Sequence, residues 1–255
     1  MVGVAYGILF VIVGALLWRS GKFTRTVRYI LLAVTILLGF SIFSPMLPYM
    51  FQELVANTGF RAGAGLLGAA FGMALFFLLA FLFGRHFCGY LCPIGAVQEV
   101  ASLVPAPKLR LPWKPLSVIA RGLVFLFILW CGLALSLPVL HFFGIRQFFT
   151  LTFSAGFVVF SCLVVVSLFF YRPFCRFVCP VGAIFQVVAT PALWKIRRTD
   201  ACIDCGKCEK ACPTSEAGKE DSKGECYLCH RCMDACPVAG ALRYGGKPRR
   251  EETER

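Results

Sequence analysis

Eight of the chain's fourteen cysteines fall into two copies of one spacing near its carboxyl end. Cys202, Cys205, Cys208 and Cys212 precede Pro213, and Cys226, Cys229, Cys232 and Cys236 precede Pro237, each member displaced by 24 residues. Thiolates are soft ligands, and two-residue gaps let one tight loop offer three sulfurs to the corners of an iron–sulfur cubane. In paired runs of this kind the fourth ligand comes from the other run. Cys202, Cys205, Cys208 and Cys236 are therefore expected to hold one [4Fe–4S] cluster, and Cys226, Cys229, Cys232 and Cys212 a second. Zinc sites or disulfides would leave the third cysteine, the three-residue gap and the proline of each copy unexplained. Paired cubanes pass single electrons.

A second cysteine pattern lies upstream. RHFCGYLCPIGA (85–96) and RPFCRFVCPVGA (172–183) align at a displacement of 87 residues, and each contains Cys-x3-Cys-Pro. Residues four apart share a helix face, so Cys88 and Cys92 can point together, as can Cys175 and Cys179. Proline disfavours the helical region for the residue before it, which puts each motif at a helix end. Glycine two positions later, at 95 and 182, allows close backbone approach. If the copies face one another, four thiols converge on a metal ion or cluster. Two dithiol redox pairs, or thiols that merely pack, are the alternatives. Cys131 and Cys162 have no spacing partner and are expected to be packing residues.

The elements that position these cysteines are read from composition and charge. The chain is 58% hydrophobic, with 26 phenylalanines and a mean hydropathy of +0.76. Residues 1–198 carry 16 Lys/Arg against Glu53 and Glu99, whereas residues 199–255 carry 10 against 11 acidic residues. The net charge of +13 thus belongs to the apolar part, which points to a membrane rather than to nucleic acid. Five apolar stretches, about 2–18, 27–50, 62–84, 116–140 and 148–171, meet the need for about 20 residues per span. The first lacks the marks of a cleaved signal peptide and reads as a retained helix.

Basic residues flank alternate ends of these stretches: Arg19 to Arg28, then Arg85 to Arg121, then Arg172 to Arg198. The intervening loops offer only Arg61 and Arg146. The cysteine end is then expected in the cytoplasm and the amino terminus outside. Cluster-type cysteine spacing, which suits a reducing compartment, leads to the same side.

The expected fold is an all-α polytopic membrane domain of about five helices with a duplicated helical hairpin, followed by a small α+β two-cluster ferredoxin domain of the bacterial type. The expected boundaries are 1–198 (repeats 27–100 and 116–190), 199–244, and a disordered tail at 245–255. Four prolines in 101–118 suggest an extended connector along the membrane surface, and 184–194 an interfacial helix ending near Pro191. Lys195, Arg197 and Arg198 would hold the ferredoxin near the headgroups. The polar insert 214–225 reads as a loop.

Ionisable groups at membrane depth are functional candidates. A quinol donor needs a lipid-accessible pocket and a proton acceptor, and His86, Gln98 and Glu99 lie beside the first thiol pair. Gln186 holds the place of Glu99 in the second copy. His86, His141 and His230 offer no pair at matching depth, so no haem is expected within this chain.

Taken together, FCGYLCPIGA, FCRFVCPVGA and the two cluster runs resemble the NapH/MauN-type ferredoxin-like membrane proteins, a group related to the membrane regions of NosR and CcoG/RdxA. The resemblance runs from the second span to Tyr244, and the compact chain favours the NapH/MauN branch. It implies electron flow from the quinone/quinol pool, through clusters, to other redox subunits, such as a reductase, a dehydrogenase or a cytochrome. The chain would be an electron-transfer subunit of a quinol dehydrogenase-type system rather than a complete enzyme. A copper-handling assembly factor using the four upstream thiols, or a membrane redox sensor, are the other expectations.

Overall fold

Apolar runs cut by proline, glycine and serine dictate the architecture, which the computed structural model describes for residues 12–18, 20, 23–42, 47–56, 64–109 and 114–246. The first half holds α1 (12–18), α2 (Arg25–Ile42), α3 (Leu47–Ala56), α4 (Ala64–Phe83), a π-helical turn π1 (Phe87–Leu91) and α5 (Pro93–Ala101). The second holds α6 (Lys114–Leu135), a 3-10 turn (Val139–Phe143), α7 (Ile145–Phe149), α8 (Ala155–Val166), π2 (Phe174–Val178) and α9 (Pro180–Ala189). The cysteine-rich end contributes β1 (Lys195–Arg198), α10 (Lys207–Ala211), α11 (Arg231–Asp234) and β2 (Leu242–Gly245). β1 and β2 pair antiparallel, Ile196 opposite Tyr244, so this unit's strand pairing begins before the expected boundary at 199.

Several sequence expectations are redrawn. Among the described residues, α6 is the one helix long and apolar enough to cross a membrane, and its 20-residue stretch Leu116–Leu135 is only 22% buried over its most apolar window. At 1.5 Å per residue it reaches about 30 Å. It stops at Leu135 rather than 140, because Ser136 turns left-handed (φ 50°) and Pro138 follows. Of the second predicted span, α2 covers the residues up to Ile42 and α3 those from Leu47, while 43–46 lie outside the described residues. The fifth is not one helix. Leu151 (φ 53°) breaks the backbone, and Ser154 restarts it by accepting a hydrogen bond from Phe157 N at 3.3 Å. The resulting α8 has 12 residues, about 18 Å.

Pro115 lies in the first turn of α6, not in the connector. Gly245 lies in β2; residues 247–255 of the expected tail, like residues 1–11 of the first span, are outside the described residues. Cys131 is buried as expected, but Cys162 is exposed.

The core joins both halves through Phe76, Phe87, Phe149, Phe160, Phe174 and Phe185. Each such side chain contributes about 1.5–3 kcal/mol on burial. Outside it runs an apolar belt: Ile30 and Leu37 on α2, Leu67 and Phe71 on α4, Leu123, Leu126 and Trp130 on α6, and Val158 and Val165 on α8 are all exposed. A patch of this extent marks contact with a partner or a bilayer.

Candidate metal centres

The two copies of the upstream motif fold alike. In each, a π-turn carries the first cysteine, the second is the extended N-cap of the next helix, and proline starts that helix. Cys92 N donates to Phe87 O at 3.0 Å and Cys179 N to Phe174 O at 2.9 Å, the five-residue reach of a π-turn. The helix end is as the proline predicts; the π-turn was not legible, because the α-helical rule of four assumes a regular ladder.

The copies also grip each other reciprocally. Arg85 Nη2 donates to Gly182 O at 3.4 Å. Arg172 donates to Gly89 O at 2.7 Å and also to Cys88 O. A Cβ on Gly95 would lie 2.7 Å from Cys88 O and 3.1 Å from Arg172 Nη1, and one on Gly182 would lie 3.0 Å from Cys175 O. The glycine of each motif is thus needed where the other copy's arginine enters. Cys88, Cys92, Cys175 and Cys179 line one cavity together with Arg85. Gln98 steadies its rim, accepting from Phe174 N at 3.0 Å and donating toward Cys175 Sγ at 3.6 Å.

The downstream runs repeat a backbone pattern. Asp204 and Gly206 in the first, and Leu228 and His230 in the second, are left-handed at matching positions. His230 accepts a conformation that glycine adopts freely. Cys202, Cys205, Cys208 and Cys236 line one cavity, and Cys212, Cys226, Cys229 and Cys232 another of about 480 Å3. Each cavity takes three sulfurs from one run and the fourth from the other. All eight are free thiols. Four soft sulfur donors per cavity suit a [4Fe–4S] cluster. Burial pushes the Cys226 thiol up to about 12 and the Cys229 thiol to about 11, a cost that ligation as thiolate must offset.

Arginines missed as site residues surround these cavities. Arg198, expected at the headgroups, turns instead to the first cavity, donating toward Cys208 Sγ at 3.6 Å and pairing with Asp204 at 2.9 Å and with Glu209. Glu225, at the end of the polar insert, is 3% exposed and pairs with Arg121 at 2.6 Å and Arg176 at 3.6 Å. Gln186 also accepts from Arg121. Glu99 lies between Arg172 at 2.9 Å and Arg231 at 2.8 Å. Burial alone would raise its pKa, but these two guanidinium groups outweigh it and hold the carboxyl below its usual range. Arg85, Arg121, Arg172 and Arg176, counted from the sequence as membrane-flanking charges, are therefore buried inside the protein. One signal was available: Arg85 and Arg172 occupy the same place in an otherwise apolar duplication.

The second run is docked on the helices. Arg28 donates to Cys229 O at 2.9 Å, Tyr90 Oη to Leu228 O at 2.9 Å and Tyr244 Oη to Phe83 O at 2.7 Å. Tyr227, beside Cys226, is buried with its ring 4.3 Å from the Arg85 guanidinium and 4.9 Å from that of Arg172. It therefore spans the wall between the second-run cavity and the upstream motifs. His86 sits apart in an aromatic box with Trp18, Phe23, Tyr90 and Tyr244. His141 stacks on Tyr49 at 5.4 Å, and His230 meets Asp234 at 3.0 Å.

A 4Fe-4S binding domain family matches residues 66–112 and again 152–199, the two upstream copies, and another of the same description matches 196–215. YccM of Escherichia coli K12, named for electron transport, is 30% identical over 161 residues, 56% of this chain and 45% of that protein. The methylamine utilization ferredoxin-type protein MauN of Paracoccus denitrificans is 26% identical over 211 residues, 70% of this chain and 64% of that protein. The regulatory protein NosR of Pseudomonas aeruginosa is 34% identical over 147 residues, 51% of this chain and 20% of that protein. The chain covers about half the length of the first curated relatives it matches. No solved structure matches.

Proposed function

We propose that this chain, a MauN/NosR-type 4Fe–4S ferredoxin protein, is a multi-pass membrane subunit that takes electrons from a quinol and passes them to partner redox proteins. The observation that carries the reading is the interleaving of the downstream cysteines, two cavities each framed by four sulfurs. Cys202, Cys205, Cys208 and Cys236 hold one [4Fe–4S] cluster, and Cys212, Cys226, Cys229 and Cys232 the other. Bound there, each cluster supplies one-electron storage. Residues 199–244, joined by the preceding strand β1 paired to β2, form the ferredoxin unit on the cytoplasmic face of the membrane, and the amino terminus lies outside. With four arginines turned inward, Arg25 and Lys108 are among the exposed basic residues left to face headgroups.

The quinol site is a cavity of about 190 Å3. Tyr29, Leu32 and Leu103 form its apolar side, and Arg28, Glu99 and Cys229 its polar side. The apolar lip opens on the belt of α2, where a lipid-soluble substrate arrives, and Cys229 brings a cluster ligand to the far wall. Glu99, kept ionised by Arg172 and Arg231, accepts a hydrogen bond from a quinol hydroxyl. On oxidation to quinone the substrate would give one electron to each cluster and release two protons to the water at the exposed Arg25 edge of the cavity. His86, walled off in its aromatic box, takes no part.

Iron and acid-labile sulfide in the anaerobically purified chain test the cluster assignment. The downstream cysteines account for about eight irons, of which Cys229→Ser removes about four and Cys236→Ser a spectroscopically different four. Iron content unchanged in both variants would sink the reading. Leu103→Trp, which fills the quinol cavity, is expected to slow cluster reduction by a short-chain quinol while leaving iron content intact; an unchanged rate would remove the quinol from this place.

A further inference from the structure

We infer that Cys88, Cys92, Cys175 and Cys179 together hold a third iron–sulfur cluster, shared between the two copies of the upstream motif and buried where they meet. The four thiols line one cavity. None is in a disulfide, and the one cavity takes two sulfurs from each copy. The free volume between them is about 20 Å3, of the same order as the about 10 Å3 between Cys202, Cys205, Cys208 and Cys236. Among the described residues, no three His, Cys, Asp or Glu side chains converge closely enough for a single ion. That holds for all three cysteine sets alike.

Charge supplies an independent argument. Arg85 lines the thiol cavity and is 1% exposed. Its Nε has no hydrogen-bond partner, and no carboxylate among the described residues lies within ion-pair distance. A buried guanidinium left in this condition is costly. Around the cavity, four buried arginines (Arg85, Arg121, Arg172 and Arg176) face two buried carboxylates, Glu99 and Glu225. Arg121 donates to Cys175 O at 3.4 Å and Arg172 to Cys88 O, so guanidinium groups reach the first cysteine of each copy. The excess positive charge calls for an anion at the thiols, and an oxidised cubane carrying four thiolates is a dianion. The four thiols give up their protons on ligation, and sulfide with ferrous and ferric iron in equal parts comes from the medium, which gives the dianion without a change of oxidation state. Tyr227, its ring against Arg85, then separates this cluster from the one held by the second run.

The test is metal content of the full chain in detergent, reconstituted anaerobically with ferrous and ferric iron and sulfide. About twelve irons are expected for the unaltered chain, and about eight for Cys92→Ser/Cys179→Ser with the ferredoxin-type EPR signals retained, which also shows that the variant is folded. About four irons, lost in that variant, would support this site while sinking the downstream assignment. About eight irons in both chains would overturn the proposal, as would one copper or zinc ion that only the variant loses.

Discussion

Glu99 shows what a single buried residue does here. Its carboxylate is shared by Arg172, from the second upstream copy, and Arg231, from the second cysteine run. It therefore ties three distant segments together. Glu99→Gln leaves two guanidinium groups without their anion and is expected to cost about 3–5 kcal/mol, read as a fall in the unfolding midpoint of the detergent-solubilised chain. Because its pKa is lowered in the folded state, the stability it adds is present above the unfolded carboxylate value, about 4.3, and is lost as pH falls below it. The unaltered chain should lose stability over that acid window, and the Gln variant should lose less. Sequence reading singled out Glu99 but assigned it a proton; the two arginines that keep it charged come from segments 73 and 132 residues away.

At the scale of elements, π1–α5 and π2–α9 are one device used twice. The turn offers a first cysteine, the proline-started helix presents the second, and the glycine after the proline admits the opposite copy's arginine. Gly95→Ala should be the more damaging of the two glycine substitutions, because its Cβ would meet the fixed Cys88 carbonyl at 2.7 Å and Arg172 at 3.1 Å. Overpacking of this sort costs about 1–3 kcal/mol, and Gly182→Ala, at 3.0 Å from Cys175 O and 3.5 Å from Arg85, less. Equal melting temperatures for the two variants would contradict the reciprocal grip. The duplication itself was legible from residue spacing. The π-turns were not, since a one-residue widening of a helical turn leaves no periodic trace in five residues.

At the scale of the molecule, the apolar belt separates a membrane protein from a soluble one. Leu126 on α6 is 59% exposed. In water, Leu126→Arg would be nearly neutral. In a bilayer it should oppose insertion by about 2.5–3.5 kcal/mol, lowering the membrane-integrated fraction in a glycosylation or carbonate-extraction assay. An unaffected fraction would argue that α6 does not cross.

The order of the residues alone determined the ligand chemistry and the duplication, because cysteine spacing and repeated motifs are properties of local sequence. Composition likewise announced the apolar character of the first 198 residues. Only the tertiary structure decided which charges face solvent. Arg85, Arg121, Arg172 and Arg176 read as flanking charges by position, yet they lie inside because carboxylates and carbonyls from remote segments meet them there. It also decided that the long apolar stretches break into shorter helices, and that four thiols from two copies share one cavity. The buried arginines and the shared cavity depend on remote segments coming together, Arg85 with Gly182 97 residues away and Arg172 with Gly89 83 residues away, a pairing that no local pattern encodes.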